Sequence, residues 1–403
     1  MKNVVIAGAG HGAGQVVASL RQKNFAGNIT MLGDEPWYPY QRPPLSKKFL
    51  AGELPAERLY VKPQSFYDEP NISVLLDTRV AAIDRDKKCV VTAAGDCFDY
   101  DHLVIATGSR PRQLDLPGAD LDGVHYLRGI DDVDAIRGDM SPGRRMTIIG
   151  AGYIGLEVAA VTAKSGLDVT VIEMEDRVMS RVVSPELSEF YQDIHTENGV
   201  TLRLSTGIQS FSGDGRIGGV VLDDGEVLPT DIVVIGIGIV PNIELASSCG
   251  LTLNNGIVVD DHCQTSDPDI FAIGDCTWHP NTLLDTEHRL ESVHNALEQA
   301  KTAAGNICGE DIAYAQVPWF WSDQYDLKLQ IAGLSRGYDQ VVMRGNKDTR
   351  SFACLYLRNG QLISVDAVNS PKDFVQSKVL IAAHAKIDPS TLANPDIQLK
   401  DMI

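Results

Sequence analysis

Cysteine is present in this chain, but never in a pattern that suggests chemistry. The seven residues (Cys89, Cys97, Cys249, Cys263, Cys276, Cys308 and Cys354) are odd in number and scattered. No C-x-x-C and no ligand-like spacing occurs, so neither a disulfide framework nor a zinc site is expected. Long apolar runs are missing too. Stretches such as Ile232 to Val240 fall far short of the ~20 residues of a membrane span. The short apolar run after Met1-Lys2 flows into a glycine-rich turn, which reads as a first strand and not as a secretory segment. Positive charge is scarce: 35 Lys+Arg stand against 54 Asp+Glu, a net charge of −19. That balance excludes a nucleic-acid binder and a protein that docks on anionic membranes. What remains is a soluble protein of a reducing cytoplasm, with 403 residues to fill two or three domains.

What the chain does contain is one unit, twice. Residues 147–173 read T-I-I-G-A-G-Y-I-G-L-E-V-A-A-V-T-A-K-S-G-L-D-V-T-V-I-E. An apolar run stops at Gly150, and Gly150, Gly152 and Gly155 follow in the G-x-G-x-x-G spacing. A helix-forming run and a second apolar run then lead to Glu173. This pattern predicts strand, tight turn, helix and strand. The first glycine permits the turn, the second lets backbone approach a pyrophosphate, and the third lets helix and strand pack closely. Phosphates belong at the helix N-terminus, where free N–H groups and the dipole favour an anion. Ile154 lies in that first turn. Glu173, about 20 residues on, stands where a carboxylate accepts from a ribose 2′-OH and repels a 2′-phosphate, which favours NADH over NADPH.

Residues 2–34 are the other copy. A strand (Asn3 to Ala7) leads to Gly8, Gly10 and Gly12, with Ala13 in the third fingerprint position. A helix, a strand (Asn28 to Leu32) and Asp34 follow. Two such units imply two dinucleotides. His11 within the turn reads as a bystander beside the phosphates more readily than as a catalytic base.

Between the copies, residues 35–63 form a long loop whose prolines at 36, 39, 43 and 44 fix the backbone without helix. Long ordered loops are uncommon unless functional. Arg42 and Lys47 offer positive charge there, while Lys48 fits a solvated surface. Ala106-Thr107-Gly108 ends a strand with small residues that let backbone approach a flat cofactor. The stretch through Gly236, Gly238 and Pro241 mirrors it and suggests a return crossing between domains. Phe271 to Asp275 reads as a buried strand, with Asp275 either receiving a sugar-alcohol chain or capping the next helix. A helix is predicted from Arg289 to Ile307. After 316 come Pro318-Trp319-Phe320-Trp321-Ser322-Asp323-Gln324-Tyr325, alternating strands and an Ala-rich helix, a small α+β domain. Trp319 and its neighbours serve either as core or as an aromatic wall beside a flavin. The fold expected is α/β, with two Rossmann-like dinucleotide-binding domains and a small C-terminal α+β domain. The boundaries are 1–115 with 239–315, 116–238, and 316–403.

Taken together, Gly8 to Ala13, R-P-P-L-S-K at 42–47, A-T-G at 106–108, G-A-G-Y-I-G-L-E at 150–157, F-A-I-G-D at 271–275, R-L-E-S-V-H-N-A-L-E-Q-A at 289–300 and P-W-F-W-S-D-Q-Y at 318–325 resemble the FAD-dependent, NADH-linked ferredoxin reductases of bacterial monooxygenase and dioxygenase chains. The resemblance implies FAD held by Gly12, Asp34, Lys47, Val80, Arg128, Asp275 and Val293. It also implies that Lys47 and Glu157 meet near the flavin N5 and the nicotinamide. Relatives that reduce disulfides carry a cysteine pair after the first domain's opening strands; this chain has R-P-P-L-S-K there and no cysteine before Cys89.

The function implied is hydride transfer from NADH to FAD, then single electrons to a [2Fe–2S] ferredoxin that feeds a terminal oxygenase. The chain itself would be a monomer or weak dimer. Arg289 and Arg336 are candidate docking cations for an acidic ferredoxin. A reductase for rubredoxin or another small acceptor, and a signalling flavoprotein like apoptosis-inducing factor, are the alternatives.

Overall fold

The computed structural model describes residues 2–402. They fall into two compact units, residues 2–42, 57–110 and 240–318 in one and 43–56, 111–239 and 319–402 in the other.

In the first unit the strand Asn3–Ala7 is the centre of a five-stranded parallel sheet. Asn28–Leu32 and then Ile72–Leu75 lie on one side, His102–Ile105 and then Ile270–Ala272 on the other. Burial on both faces explains why these strands read as unbroken apolar runs. The two-residue period still assigns the faces. Val4 and Ile6 pack with the helices His11–Gln22 and Val293–Ile307, while Val5 and Ala7 pack with Leu32, Ile105 and the 246–259 segment. A three-stranded meander (Val80–Asp84, Cys89–Thr92, Cys97–Asp99) precedes the fourth parallel strand in sequence.

The second unit repeats this plan. Arg145–Ile149 is the central strand, with Asp168–Ile172 and Thr201–Arg203 on one side and Ile232–Ile235 and Val124–Tyr126 on the other, all parallel. A second meander (Ile208–Asp214, Arg216–Leu222, Val227–Pro229) stands at the equivalent place in the chain. The same unit holds the C-terminal sheet, an antiparallel order of 319–324, 327–333, 361–368, 351–358 and 340–346, with the helix Pro371–Ala382 packed on it. This is the mixed α/β architecture expected.

Three local expectations are corrected. The proline loop is not free of helix: Pro43–Ser46 and Ala56–Leu59 are 3₁₀ turns. Proline suits the first turn of a helix, where its missing N–H would have no partner anyway. The loop also buries Leu45, Phe49 and Leu50, so it is a packed element. The helix expected from Arg289 starts at Val293, because the Ser292 side chain accepts from Asn295 N and sets the cap there. Finally, a four-stranded sheet through 253–288 went unread, its strands being only two to five residues long.

Candidate active site

The first fingerprint turn is shaped by two kinds of glycine. Gly8 has φ +116°, and a Cβ there would lie 2.4 Å from the Ala106 carbonyl, so the protein itself requires glycine. Gly10 is different. Its φ of −87° suits any residue, and no atom outside its chain neighbours lies within 4 Å of where a Cβ would sit. The fold does not explain that glycine; a pyrophosphate lying against the backbone does. Gly12 is limited by Ile273, 3.0 Å from its would-be Cβ, and Ala13 is fully buried against the sheet.

The second turn repeats the division. Gly150 has φ +101° and would meet the Gly236 carbonyl at 2.5 Å, and Gly155 would meet the Gly150 carbonyl at 2.0 Å. Gly152, with φ −78°, again faces open space. Neither fingerprint helix has a side-chain cap or an acidic residue in its first turn, so both N-termini keep their donors for an anion. Both turns therefore fit a dinucleotide pyrophosphate. Ile154 is 42 % exposed on the first turn of its helix.

The carboxylates that follow the two units differ. Glu173 folds back on its own turn, Oε2 accepting from Ala151 N (2.7 Å) and Oε1 from Glu175 N (3.0 Å). Each oxygen keeps a lone pair for a ribose hydroxyl. Asp34 is exposed, and it is the adjacent Glu35 that takes the Arg42 guanidinium at 2.6 Å and the Tyr40 hydroxyl. Arg42 thus stands as part of an ion pair. It also depresses the charge of His11: burial first, then Arg42, lower the imidazole to about 4, so His11 is neutral at physiological pH. That agrees with a bystander at the turn and not with a proton carrier.

Around the same sheet edge, Asn242 joins Thr107 in both directions, Thr107 Oγ1 donating to the Asn242 carbonyl and Asn242 Nδ2 to the Thr107 carbonyl, each at 2.8 Å. Gly108, at φ +61°, accepts from Asn242 N. Ser109 Oγ donates to Asp275 Oδ2 at 2.7 Å, and Asp275 follows the buried strand 270–272 in a 3₁₀ turn. Val80 opens the meander and packs on the core beneath it. Val293 is the first residue of its capped helix.

Arg128 lies in the second unit, beside a cavity of about 410 Å³ lined by Val124, Tyr126 and Asp131. Its backbone N–H and that of Gly129 both bond Asp132. Gly238 is exposed at φ +102°, and its carbonyl accepts from Arg112 N.

Lys47 and Glu157 are brought together, as the motifs implied. Lys47 Nζ is 2.6 Å from Glu157 Oε2, and Glu157 is 1 % exposed. Sequence reading missed the rest of the shell: Ser46 Oγ also donates to Oε2, and Ser322 Oγ donates to Oε1 at 2.6 Å. Burial raises the Glu157 carboxyl, and Lys47 and the two hydroxyls pull it back towards the ionised form. The only available signal was that Ser46 and Ser322 lie inside the quoted motifs. The strand 319–324 explains the arrangement. Ser322 and Gln324 point inward with Phe320, which packs on Tyr153 at 4.9 Å. Trp319 and Trp321 meet at 5.4 Å, their rings tilted by 34°, on the other face, where Trp319 also meets Phe374 and Lys378. Trp319 is partly buried among these neighbours.

Two other expectations change. Arg289 is 12 % exposed and paired with Glu291 at 2.6 Å, so it offers no free charge to a docking partner. The cysteines are all free, but the meander brings Cys89 and Cys97 together with Asp99, their ligand atoms within 4.8 Å of one another. A hairpin makes that group, which is why the spacing along the chain gave no sign of it. Among the described residues no helix is long and apolar enough to cross a membrane.

Comparison with known proteins agrees with this geometry. Residues 2–300 match the pyridine nucleotide-disulphide oxidoreductase family, and residues 319–403 match the reductase C-terminal family. The chain is 44 % identical to rhodocoxin reductase of Rhodococcus erythropolis, over 99 % of this chain and 93 % of that one. It is 45 % identical to a ferredoxin–NAD(P)+ reductase of a Sphingomonas species, over 100 % and 97 % of the two chains. Among solved structures, the reductase in a covalent putidaredoxin reductase–putidaredoxin complex superposes with a TM-score of 0.96 at 42 % identity, over 100 % of this chain and 98 % of that one.

Proposed function

The chain belongs to the pyridine nucleotide-disulphide oxidoreductase family, and from that premise we infer that it is an FAD-dependent NADH:ferredoxin reductase serving an oxygenase. The observation that carries this reading is the end-to-end likeness to ferredoxin reductases, C-terminal domain included, in a chain whose two dinucleotide turns are both intact. Bound FAD supplies the redox chemistry, taking a hydride from the nicotinamide and releasing electrons singly to a [2Fe–2S] centre.

The chain's own residues bind, orient and hold charge. Gly8 to Ala13 and the first helix take the FAD pyrophosphate, with Asp34 and Asp275 accepting from its sugar hydroxyls. Gly150 to Gly155 take the NADH pyrophosphate. Lys47 keeps an ammonium in place against Glu157, a pairing that makes both buried charges tolerable. No thiol occurs in the 42–47 segment, so electrons leave to an external acceptor. We further propose the three-part division 1–115 with 239–315, 116–238 and 316–403, and a cytoplasmic site of action.

NADH is proposed over NADPH on account of Glu173. Glu173→Arg removes an anchor of the turn as well as the ribose acceptor. Its kcat/KM for NADH should fall about tenfold or more, the worth of one charge-assisted hydrogen bond. Activity with NADPH should rise at the same time. Steady-state kinetics with both nucleotides checks this, and an unchanged preference would remove Glu173 from the assignment. Turnover with a [2Fe–2S] ferredoxin should exceed that with rubredoxin; the reverse would assign the second acceptor.

A further inference from the structure

Glu157 is the end of a longer buried chain of hydrogen bonds. Its Oε1 accepts from Ser322 Oγ (2.6 Å), Ser322 Oγ accepts from Gln324 Nε2 (3.2 Å), Gln324 Oε1 lies 2.9 Å from His195 Nε2, and His195 Nδ1 lies 3.1 Å from the Tyr325 hydroxyl. Ser322, Gln324 and His195 are each at most 1 % exposed, and Tyr325 is half-buried at the far end. The four partners come from two elements of the second unit, the strand Trp319–Gln324 with the residue after it and the helix Pro185–Glu197.

The donor inventory fixes the direction of every bond. An ionised Glu157 only accepts, so the single Ser322 proton points to it. Ser322 must then accept, which turns the Gln324 amide with Nε2 toward the serine and Oε1 toward His195. Only a donor suits that carbonyl, so His195 carries its proton on Nε2. Burial lowers the His195 imidazole to about 4, which leaves Nδ1 bare and able to accept from Tyr325. All four protons therefore point the same way, toward the carboxylate. A primary amide in the middle does not pass a proton on, so the chain is no proton wire. Bonds aligned in this manner polarise one another and strengthen the last one.

We propose that Gln324 and His195 are positioning residues for the NADH half-reaction: acting through Ser322, they hold Glu157 ionised and oriented, and so hold the Lys47 ammonium in place. The inference rests on the reading that Lys47 and Glu157 serve flavin reduction. It assigns to the C-terminal domain a part in that step, independent of any ferredoxin.

The test is anaerobic stopped-flow reduction of the FAD-loaded protein by NADH, giving a limiting rate and an NADH Kd. Gln324→Met keeps roughly the size of the side chain but removes both the donor to Ser322 and the acceptor for His195. His195→Leu removes the donor to Gln324. Both should lower the limiting rate about tenfold or more, with the NADH Kd changed by less than about twofold. His195→Gln, whose amide reaches the place of Nε2–H, should stay within about threefold of the parent. Limiting rates equal to the parent in Gln324→Met and His195→Leu would overturn the proposal. An equal loss in His195→Gln would overturn it too, because packing and not the bond direction would then be responsible. Failure of the parent protein to be reduced by NADH would instead overturn the reading beneath it.

Discussion

Gly10→Ala is expected to give a folded protein that has lost most of its flavin. The reason lies in the contrast among the glycines of one turn. At Gly10 the backbone angles suit alanine and the space beyond the α-carbon is open, so the fold has no objection. A methyl group there occupies the place where a pyrophosphate would lie against the backbone N–H groups. Losing one or two charge-assisted hydrogen bonds of about 1.5–3 kcal/mol each weakens FAD by roughly 10- to 10,000-fold. Gly8→Ala should behave in the opposite manner. Its Cβ meets the Ala106 carbonyl at 2.4 Å in a left-handed conformation, so the central strand itself is displaced. Gly152→Ala should leave FAD in place and raise the KM for NADH. The FAD-to-protein ratio from the visible spectrum, set beside the thermal transition of each variant, separates the three cases. A Gly10→Ala protein with a full complement of FAD would remove the first turn from the cofactor assignment.

The second large effect concerns stability. Asp366 lies on the strand Gln361–Val368, 1 % exposed. Tyr356 donates to its Oδ2, and Oδ1 has no hydrogen-bond partner. Burial, the larger influence, raises the carboxyl to about 7, with the Tyr356 bond acting the other way. In the unfolded chain it titrates near 3.8. Below 3.8 both states hold the proton and Asp366 has no effect on folding. As pH rises from 3.8 to 7 only the unfolded state ionises, and stability declines. Above 7 the loss is complete, on the order of 4 kcal/mol. Asp366→Asn keeps the acceptor for Tyr356 and places its amide where an oxygen already lacked a partner. The variant should match the parent near pH 4 and exceed it by up to about 4 kcal/mol at pH 8. Denaturant unfolding across that range measures the difference. A constant offset at all pH values would mean that Asp366 is not the titrating group.

His195 bends the same curve the other way. Its imidazole falls from 6.5 to about 4 through burial, so its contribution is present above pH 6.5 and is lost as pH falls through 4.

Much of this was legible in the chain itself because short-range rules govern it. The glycine spacings specify their turns through local sterics, and the apolar runs beside them could only be buried parallel strands. Their repetition gave the duplicated sheet. The meeting of Lys47 and Glu157, 110 residues apart, was implied by the family resemblance alone. What could not be read depends on contacts far apart in sequence. Ser322 reaches Glu157 across 165 residues. The aromatics of P-W-F-W-S-D-Q-Y drew attention, yet its serine and glutamine face inward, and only a strand at that point makes the alternation visible. Arg42 pairs with Glu35, the neighbour of Asp34, a choice that a count along the fingerprint cannot express. The Cys89, Cys97 and Asp99 group exists only once a hairpin has formed. The start of the last long helix in the first unit moved by four residues because Ser292 is the better cap.

The measurement that tests the central claim most directly is double-mixing stopped flow under anaerobic conditions. The FAD-loaded protein is first mixed with one equivalent of NADH and then with an excess of a [2Fe–2S] ferredoxin, while the flavin and cluster bands are followed. A ferredoxin reductase bleaches its flavin in the first mix. In the second mix the flavin colour returns as the cluster band falls, with two ferredoxins reduced per NADH. A flavin that NADH reduces but that no [2Fe–2S] ferredoxin reoxidises, or that NADH fails to reduce at all, would contradict it.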